Sequence, residues 1–126
     1  MKFATRLAVA TALLVAGVAA HAACVYPQAP QDIPNGATAT KDQMLAAQAK
    51  IKEYSKSVQE VYLPCLESER KAAEAALDPS DPELAQKKLA LQSLEAKKHN
   101  AALDELTAVA GRWSEEIKAF NDASKK

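Results

Sequence analysis

Glycine, aromatic residues and histidine are scarce in this sequence, and each shortage argues against a class of site. Three glycines are too few for the loops that cradle phosphate groups, and neither a P-loop nor a dinucleotide-binding motif occurs. Aromatic residues make up 5% of the chain, and the lysines form no stripe interleaved with them. Because 16 basic residues balance 16 acidic ones, the sequence predicts no binding of nucleic acid.

The residues that usually coordinate metals or carry out catalysis are also few. Of the two histidines, only His99 lies beyond the predicted signal peptide, with Glu95 one helical turn before it. Two such ligands do not make a metal site, and the motifs H-x-x-x-H, C-x-x-C and G-x-S-x-G do not occur. We therefore expect a protein that is not an enzyme, with no catalytic residue, no metal ligand and no cofactor.

The first 22 residues have the three parts of a secretory signal peptide. Lys2 and Arg6 form a basic start, an apolar run over residues 7–20 follows, and an A-x-A cleavage site ends at Ala22. The run is shorter than the 20 or so apolar residues that a membrane span needs. The sequence thus predicts cleavage between Ala22 and Ala23, export to the periplasm or the medium, and no transmembrane span in the mature chain.

The two cysteines, Cys24 and Cys65, predict a disulfide, because an even count in an exported chain favours pairing. The extended segment after Cys24 is long enough to return to Cys65, and the closed loop would stabilise the fold by about 4 kcal/mol. A redox-active thiol pair is one alternative, although it lacks the usual C-x-x-C spacing. The other is a lipid on Cys24, because residues 21–24 resemble a bacterial lipobox except at His21.

Residues 23–39 are predicted to form an extended, proline-rich strap. Its three prolines lie within eight residues, which excludes a helix and favours polyproline-type backbone. Asn35 and Gly36 mark a turn, and Gly36 is expected to supply the unusual backbone angles that the turn needs. Tyr26 and Ile33 are expected to anchor the strap on the helices.

A long helix is predicted over residues 40–77, because its apolar residues recur every three or four positions. Thr40 and Gln43 have the spacing of a capping box at its start. Pro64 lacks an N–H group and crowds the preceding turn, so a kink near residues 60–64 is expected rather than two separate helices. The predicted apolar stripe comprises Met44, Ala47, Ile51, Tyr54, Val58, Val61, Cys65 and Ala72.

A second helix is predicted over residues 82–121, after a turn at 78–81 and before a frayed tail at 122–126. Asp81 is the expected N-cap, and Pro82 suits the first helical position. The stripe of this second helix comprises Leu84, Leu91, Leu94, Ala102, Leu106, Val109, Trp113, Ile117 and Phe120.

The short connection between the two helices predicts an all-α fold, a long antiparallel two-helix hairpin with the disulfide holding the strap. Gly111 is expected to allow a close approach beside Trp113. Two facing stripes make a thin core, and self-association of a homodimer into a four-helix bundle would compensate for it. Several apolar residues lie off the two stripes and are available either to the strap or to a dimer face: Tyr62, Leu66, Leu89 and Leu103.

Three segments of the chain carry a resemblance to known sequences. They are Cys24 with the turn Ile33-Pro34-Asn35-Gly36-Ala37, the stretch Met44-Leu45-Ala46-Ala47-Gln48, and the stretch Tyr62-Leu63-Pro64-Cys65-Leu66-Glu67. Over about residues 24–70 this pattern resembles small uncharacterised exported proteins of Gram-negative bacteria. That group implies no activity, and Pro64 departs from its pattern.

The leading hypothesis from the sequence is a non-enzymatic, exported helical protein that acts by protein–protein contact in the cell envelope. It would serve as a structural component, an adaptor or a chaperone-like module, with an envelope protein or a second copy as its partner. One alternative is an outer-membrane lipoprotein anchored through Cys24. Another is a periplasmic binder of a metal or small ligand that uses His99 and nearby acids.

Overall fold

A computed structural model describes residues 23–125, and within this range the chain is helical and contains no β-strand. The predicted all-α class is therefore confirmed. The predicted signal peptide, residues 1–22 with its cleavage site at Ala22, lies outside the described residues. The helical elements follow one another in the order α1 (Lys41–Lys56), a π-helical turn (Ser57–Tyr62), α2 (Leu63–Ala75) and α3 (Leu84–Ala123).

The start of α1 has the hydrogen bonds of a capping box. The N–H of Gln43 donates to Oγ1 of Thr40 over 3.2 Å, and the N–H of Thr40 donates to Oε1 of Gln43 over 2.9 Å. These bonds satisfy two of the N–H groups that a helix start leaves without partners. At the other end, α2 stops at Ala75, two residues before the predicted limit of 77.

The turn before α3 is longer than the predicted 78–81. The prediction of Asp81 as the N-cap is wrong, because Glu83 is the N-cap of α3 and makes no side-chain capping bond. Oδ1 of Asp81 instead accepts the N–H of Glu83 over 2.8 Å, within the turn that precedes the helix. The N–H of Leu84, however, donates to the carbonyl of Asp81 over 3.0 Å, which closes a tighter turn over the first residues. As a result α3 begins at Leu84 rather than at 82, and it continues to Ala123 rather than ending at 121.

Pro64 lies directly after the π-helical turn, where a kink was predicted. The N–H of Leu63 donates to the carbonyl of Val58, five residues back instead of four. A regular α-helical turn would place the carbonyl of Glu60 against the ring of Pro64, which has no N–H to donate to it. We attribute the wide turn to this clash, since π-helical turns accommodate one extra residue within an otherwise continuous helix.

The extra residue shifts the buried stripe by one position. The prediction that Val61 continues the stripe is wrong, whereas Cys65 is half-buried. Val58 is fully buried, but the next buried positions are Tyr62 and Leu66, while Val61 is 67% exposed. Four-residue spacing keeps these three side chains on one side, because a π-helical turn contains more residues than the 3.6 of an α-helix.

The buried side of α3 also differs from the predicted stripe at two positions. Ala102 and Val109 are buried as expected, but Leu94 and Ile117 are exposed. Glu95 and Glu116 lie on the partly buried side in their place. Both glutamates have partners across the structure, which is what makes their positions on that side favourable.

Contacts between the helices run in opposite directions along the chain. Arg70 of α2 contacts Glu95 near the start of α3, whereas Gly36, ahead of α1, contacts Glu116 near its end. Residues early in the chain therefore contact the end of α3, and residues of α2 contact its beginning. The central core comprises Ala29, Tyr54, Val58, Tyr62, Leu66, Ala102 and Val109.

Gly36 has a steric role rather than the conformational one predicted from the sequence. No glycine among the described residues has a positive φ, so the turn does not need unusual backbone angles. A Cβ at Gly36 would instead lie 1.9 Å from the carbonyl oxygen of Glu116 and 2.9 Å from the nitrogen of Phe120. Its N–H donates to Oε2 of Glu116 over 2.6 Å. Only glycine lets the turn approach the α3 backbone this closely.

Gly111 has no such role, and the predicted close approach beside Trp113 is wrong. No atom of the described residues that could obstruct it lies within 4 Å of the position that a Cβ at Gly111 would take. Gly111 therefore carries only the entropic cost of glycine inside a helix, about 1 kcal/mol relative to alanine.

These two glycines make a matched pair for mutation. Gly36→Ala is expected to lower the free energy of unfolding by about 2 kcal/mol, because the overpacked turn must move away from α3. Gly111→Ala is expected to raise it by about 1 kcal/mol. Urea denaturation followed by circular dichroism measures both values. Equal effects of the two substitutions would contradict the steric role of Gly36.

Candidate interaction surface

A disulfide joins Cys24 to Cys65, as the sequence predicted, with 5.8 Å between the two Cα atoms. It attaches the N-terminal segment, residues 23–39, to the first turn of α2. Both sulfur atoms therefore belong to a disulfide. The sequence left a redox-active thiol pair open as the alternative to such a structural bond. A lipid thioether on Cys24 would require the same Sγ atom, so that modification and this disulfide exclude each other.

The N-terminal segment packs on the helices through Tyr26. Its ring meets the ring of Tyr62 edge to face at a centroid distance of 4.9 Å. Its hydroxyl shares a hydrogen bond with the hydroxyl of Tyr54 over 2.6 Å. Further along, Ala29 is buried and Ile33 packs against the same core. The predicted anchors Tyr26 and Ile33 therefore both contact the helical core.

The environment of Tyr26 raises the pKa of its hydroxyl well above the usual value near 10. Burial is the main cause, followed by the hydrogen bond to Tyr54 and the nearby carboxylate of Glu105. All three disfavour a phenolate in the folded protein. Above pH 10 the unfolded chain gives up this proton while the folded chain keeps it, so the unfolded state binds fewer protons and stability falls with rising pH.

A substitution at Tyr26 tests this pH dependence. Tyr26→Phe is expected to lower stability at pH 7 by about 1 kcal/mol through loss of the hydrogen bond. It is also expected to flatten the decline in stability between pH 10 and pH 11.5, which urea denaturation at several pH values measures. Tyr54→Phe removes the same hydrogen bond but leaves Tyr26 able to titrate. An equally steep decline in wild type and in Tyr26→Phe would contradict the prediction.

A cluster of charged side chains joins α2 to α3 near the turn. Arg70 pairs with Glu95 across the two helices and with Glu74 along its own helix, the latter over 2.9 Å. On the other edge, Nζ of Lys98 lies 3.4 Å from Oε2 of Glu69. The Arg70 guanidinium lowers the pKa of the Glu74 carboxyl. The two pairs that cross between the helices join residues 25 and 29 positions apart, so local sequence spacing does not reveal them.

These charged residues line a cleft with a volume of about 100 Å³. Its floor is apolar, with Leu66 and Leu91 among the lining residues. The acidic and basic side chains at its rim form ion pairs between α2 and α3, so their charges neutralise one another. The arrangement holds α2 against α3.

His99 lies on α3, where it is partly buried. Glu95, the acid predicted to lie near it, pairs with Arg70. Between residues 23 and 125 no group of three or more His, Cys, Asp and Glu side chains is placed to hold a metal ion.

The N-terminal segment covers one side of α3 and leaves the opposite side open. Its contacts fall at Glu105 and Glu116. At about 100° per residue, Leu89 and Leu103 lie about 140° or more around the helix from both glutamates, and Ile117 lies about 100° from Glu116. These three side chains are 68%, 38% and 37% exposed. We call this side of α3 the open face.

Four apolar residues were predicted to serve either the strap or a dimer face, and the structure divides them. Tyr62 and Leu66 are buried in the core beside the N-terminal segment, while Leu89 and Leu103 lie on the open face. The spacing of apolar residues could not predict this division. A single π-helical turn moves Tyr62 and Leu66 inward, and one turn is too short to give a repeating pattern in the sequence.

A search of the helices within the described residues finds no segment that combines the length and the apolar character of a membrane span. Protein-family models, curated proteins and solved structures were compared with the chain, and none of them matches it.

Proposed function

We propose that this protein is a non-enzymatic, exported α-helical hairpin that acts by protein–protein contact in the cell envelope, as a structural component or adaptor. In this proposal residues 23–39 are a strap that the disulfide holds along one side of the helix pair. The opposite side is then free to meet a partner.

The observation that carries the proposal is the open face of α3. Three large apolar side chains stay exposed at intervals of about 21 Å along α3, and apolar surface that stays exposed to water is a common sign of a contact surface. Leu89, Leu103 and Ile117 share one side of a single helix. Elsewhere the apolar side chains that the strap covers are buried or half-buried.

Two observations support export. The disulfide between Cys24 and Cys65 is the kind of bond that persists in the periplasm or outside the cell and is rare in the cytosol. The predicted signal peptide supplies the route. The pairing of Cys24 also favours this proposal over the lipoprotein alternative, which needs the Sγ of Cys24 for the lipid.

Site-specific photo-crosslinking in intact cells tests the proposal. A photoreactive amino acid at Leu103 is expected to form covalent adducts in the envelope fraction. Ala108 lies about 7.5 Å further along α3, within two turns of Leu103 but away from the open face, so it provides the matched control. Failure to form any adduct from Leu103, Leu89 or Ile117 in the envelope would overturn the proposal.

A further inference from the structure

The open face of α3 has a regular composition along its length. Its apolar residues recur at intervals of seven, the spacing of a coiled-coil contact position. A second row of small polar residues with the same interval lies directly beside it. The first row comprises Leu89, Ala96, Leu103, Ala110 and Ile117, and the second comprises Ser93, Asn100, Thr107, Ser114 and Asn121.

Neither row contains a charged residue, although charged residues are frequent on the other sides of α3. Depletion of charge is the compositional sign of a protein contact surface, because a charge that loses its water without a partner is costly. The two alanines in the first row let another helix approach closely. The open face is thus suited to a long helix rather than to a small ligand.

The alternation of large and small apolar side chains in the first row is the same in both directions around Leu103. Leu89 and Ile117 lie fourteen positions away on either side, and Ala96 and Ala110 lie seven away. If a second α3 lies antiparallel across Leu103, a large side chain meets a large one at each end and alanine meets alanine between them. A twofold axis demands this self-complementarity, since residue i must meet residue j in both directions.

We infer that the partner of the open face is a second copy of this chain, bound antiparallel through α3 about a twofold axis near Leu103. This inference rests on the proposed function and names its partner. Four of the small polar residues, Ser93, Asn100, Thr107 and Ser114, are centred on nearly the same point, so Asn100 of one copy lies near Thr107 of the other. Such uncharged pairs can exchange hydrogen bonds at the edge of the contact.

The same twofold axis brings the two copies of α1, the π-helical turn and α2 together in antiparallel order. The dimer would then be a four-helix bundle.

Sedimentation velocity of the purified exported chain from 1 to 500 µM tests the inference, together with cysteine crosslinking. Wild type is expected to dimerise, and Leu103→Lys to raise the dissociation constant at least about tenfold, because two like charges then meet at the axis. Ala108→Lys is the matched control and should leave the constant unchanged. Circular dichroism checks that each variant keeps its helix content.

A second variant keeps the test independent of any effect of lysine on folding. Under mild oxidation Leu103→Cys is expected to form a covalent dimer across the axis, and Ala108→Cys is not. A wild-type chain that stays monomeric up to 500 µM overturns the inference, as does a dimer that Leu103→Cys does not crosslink.

The failures of the inference and of the proposed function give different results. If the purified chain is monomeric but Leu103 forms photo-adducts with another envelope protein, the second copy is excluded while the proposed function stands. If Leu103 forms no adduct of any mass and the chain is monomeric, both fail. An adduct of twice the chain mass supports both.

Discussion

Replacing Cys24 and Cys65 together with alanine is expected to lower the free energy of unfolding by about 4 kcal/mol. The disulfide closes a loop with a sequence separation of 41 residues, and in the chain-entropy model opening such a loop costs about that much. The bond also holds Tyr26 beside Tyr62, so its loss frees the N-terminal segment from the core. Urea denaturation of the double variant and of wild type measures the difference.

Reduction of the wild-type protein is the control for this variant. Treatment with a reducing agent should produce nearly the same loss of stability, since both treatments open the same loop. The double variant itself should be insensitive to the reducing agent. A double variant within 1 kcal/mol of wild type would show that the N-terminal segment is held mainly by its side-chain contacts.

Tyr62→Ala is expected to lower the free energy of unfolding by about 4 kcal/mol, the cost of removing a large aromatic side chain from a core. Val61→Ala is expected to change it by no more than about 0.5 kcal/mol, because Val61 is exposed. The two residues are neighbours in the chain and lie in the same π-helical turn. The difference between the two losses in unfolding free energy therefore shows which side chain faces the core. Urea denaturation of both variants gives the comparison.

The reverse order would contradict the structure at the π-helical turn. If Val61→Ala were the more costly change, the helix would continue as a regular α-helix through Pro64, as the apolar spacing alone predicts. A second comparison, Leu66→Ala against Cys65→Ala in the reduced protein, tests the same shift one turn later. There Leu66→Ala should be the more damaging change.

Local sequence signals were sufficient for several features of this fold. The capping box of Thr40 and Gln43 needs only neighbouring residues, because its bonds span three positions. Apolar spacing predicted the helices to within two residues at each end, and the cysteine count predicted the one pairing that two cysteines allow.

The candidate contact surface was only partly accessible to the same reasoning. Leu89 and Leu103 lie off the predicted stripe, so the sequence could single them out, but Ile117 was assigned to the core and is instead exposed. The side of α3 that the N-terminal segment covers depends on which helical residues Tyr26 and Gly36 contact. Those contacts, with Tyr54 and with Glu116, join residues 28 and 80 positions apart.

By itself the sequence determined that this chain is helical, predicted its helix ends to within two residues, and predicted the pairing of Cys24 with Cys65. Each of these depends on spacing along the chain or on a count of cysteines. Only the tertiary structure decided that Tyr62 rather than Val61 is buried, that Gly36 is needed for a close contact, and which side of α3 stays open. The reason is that the π-helical turn before Pro64 shifts the buried positions after it by one residue, while the contacts of Tyr26 and Gly36 join residues far apart in the chain.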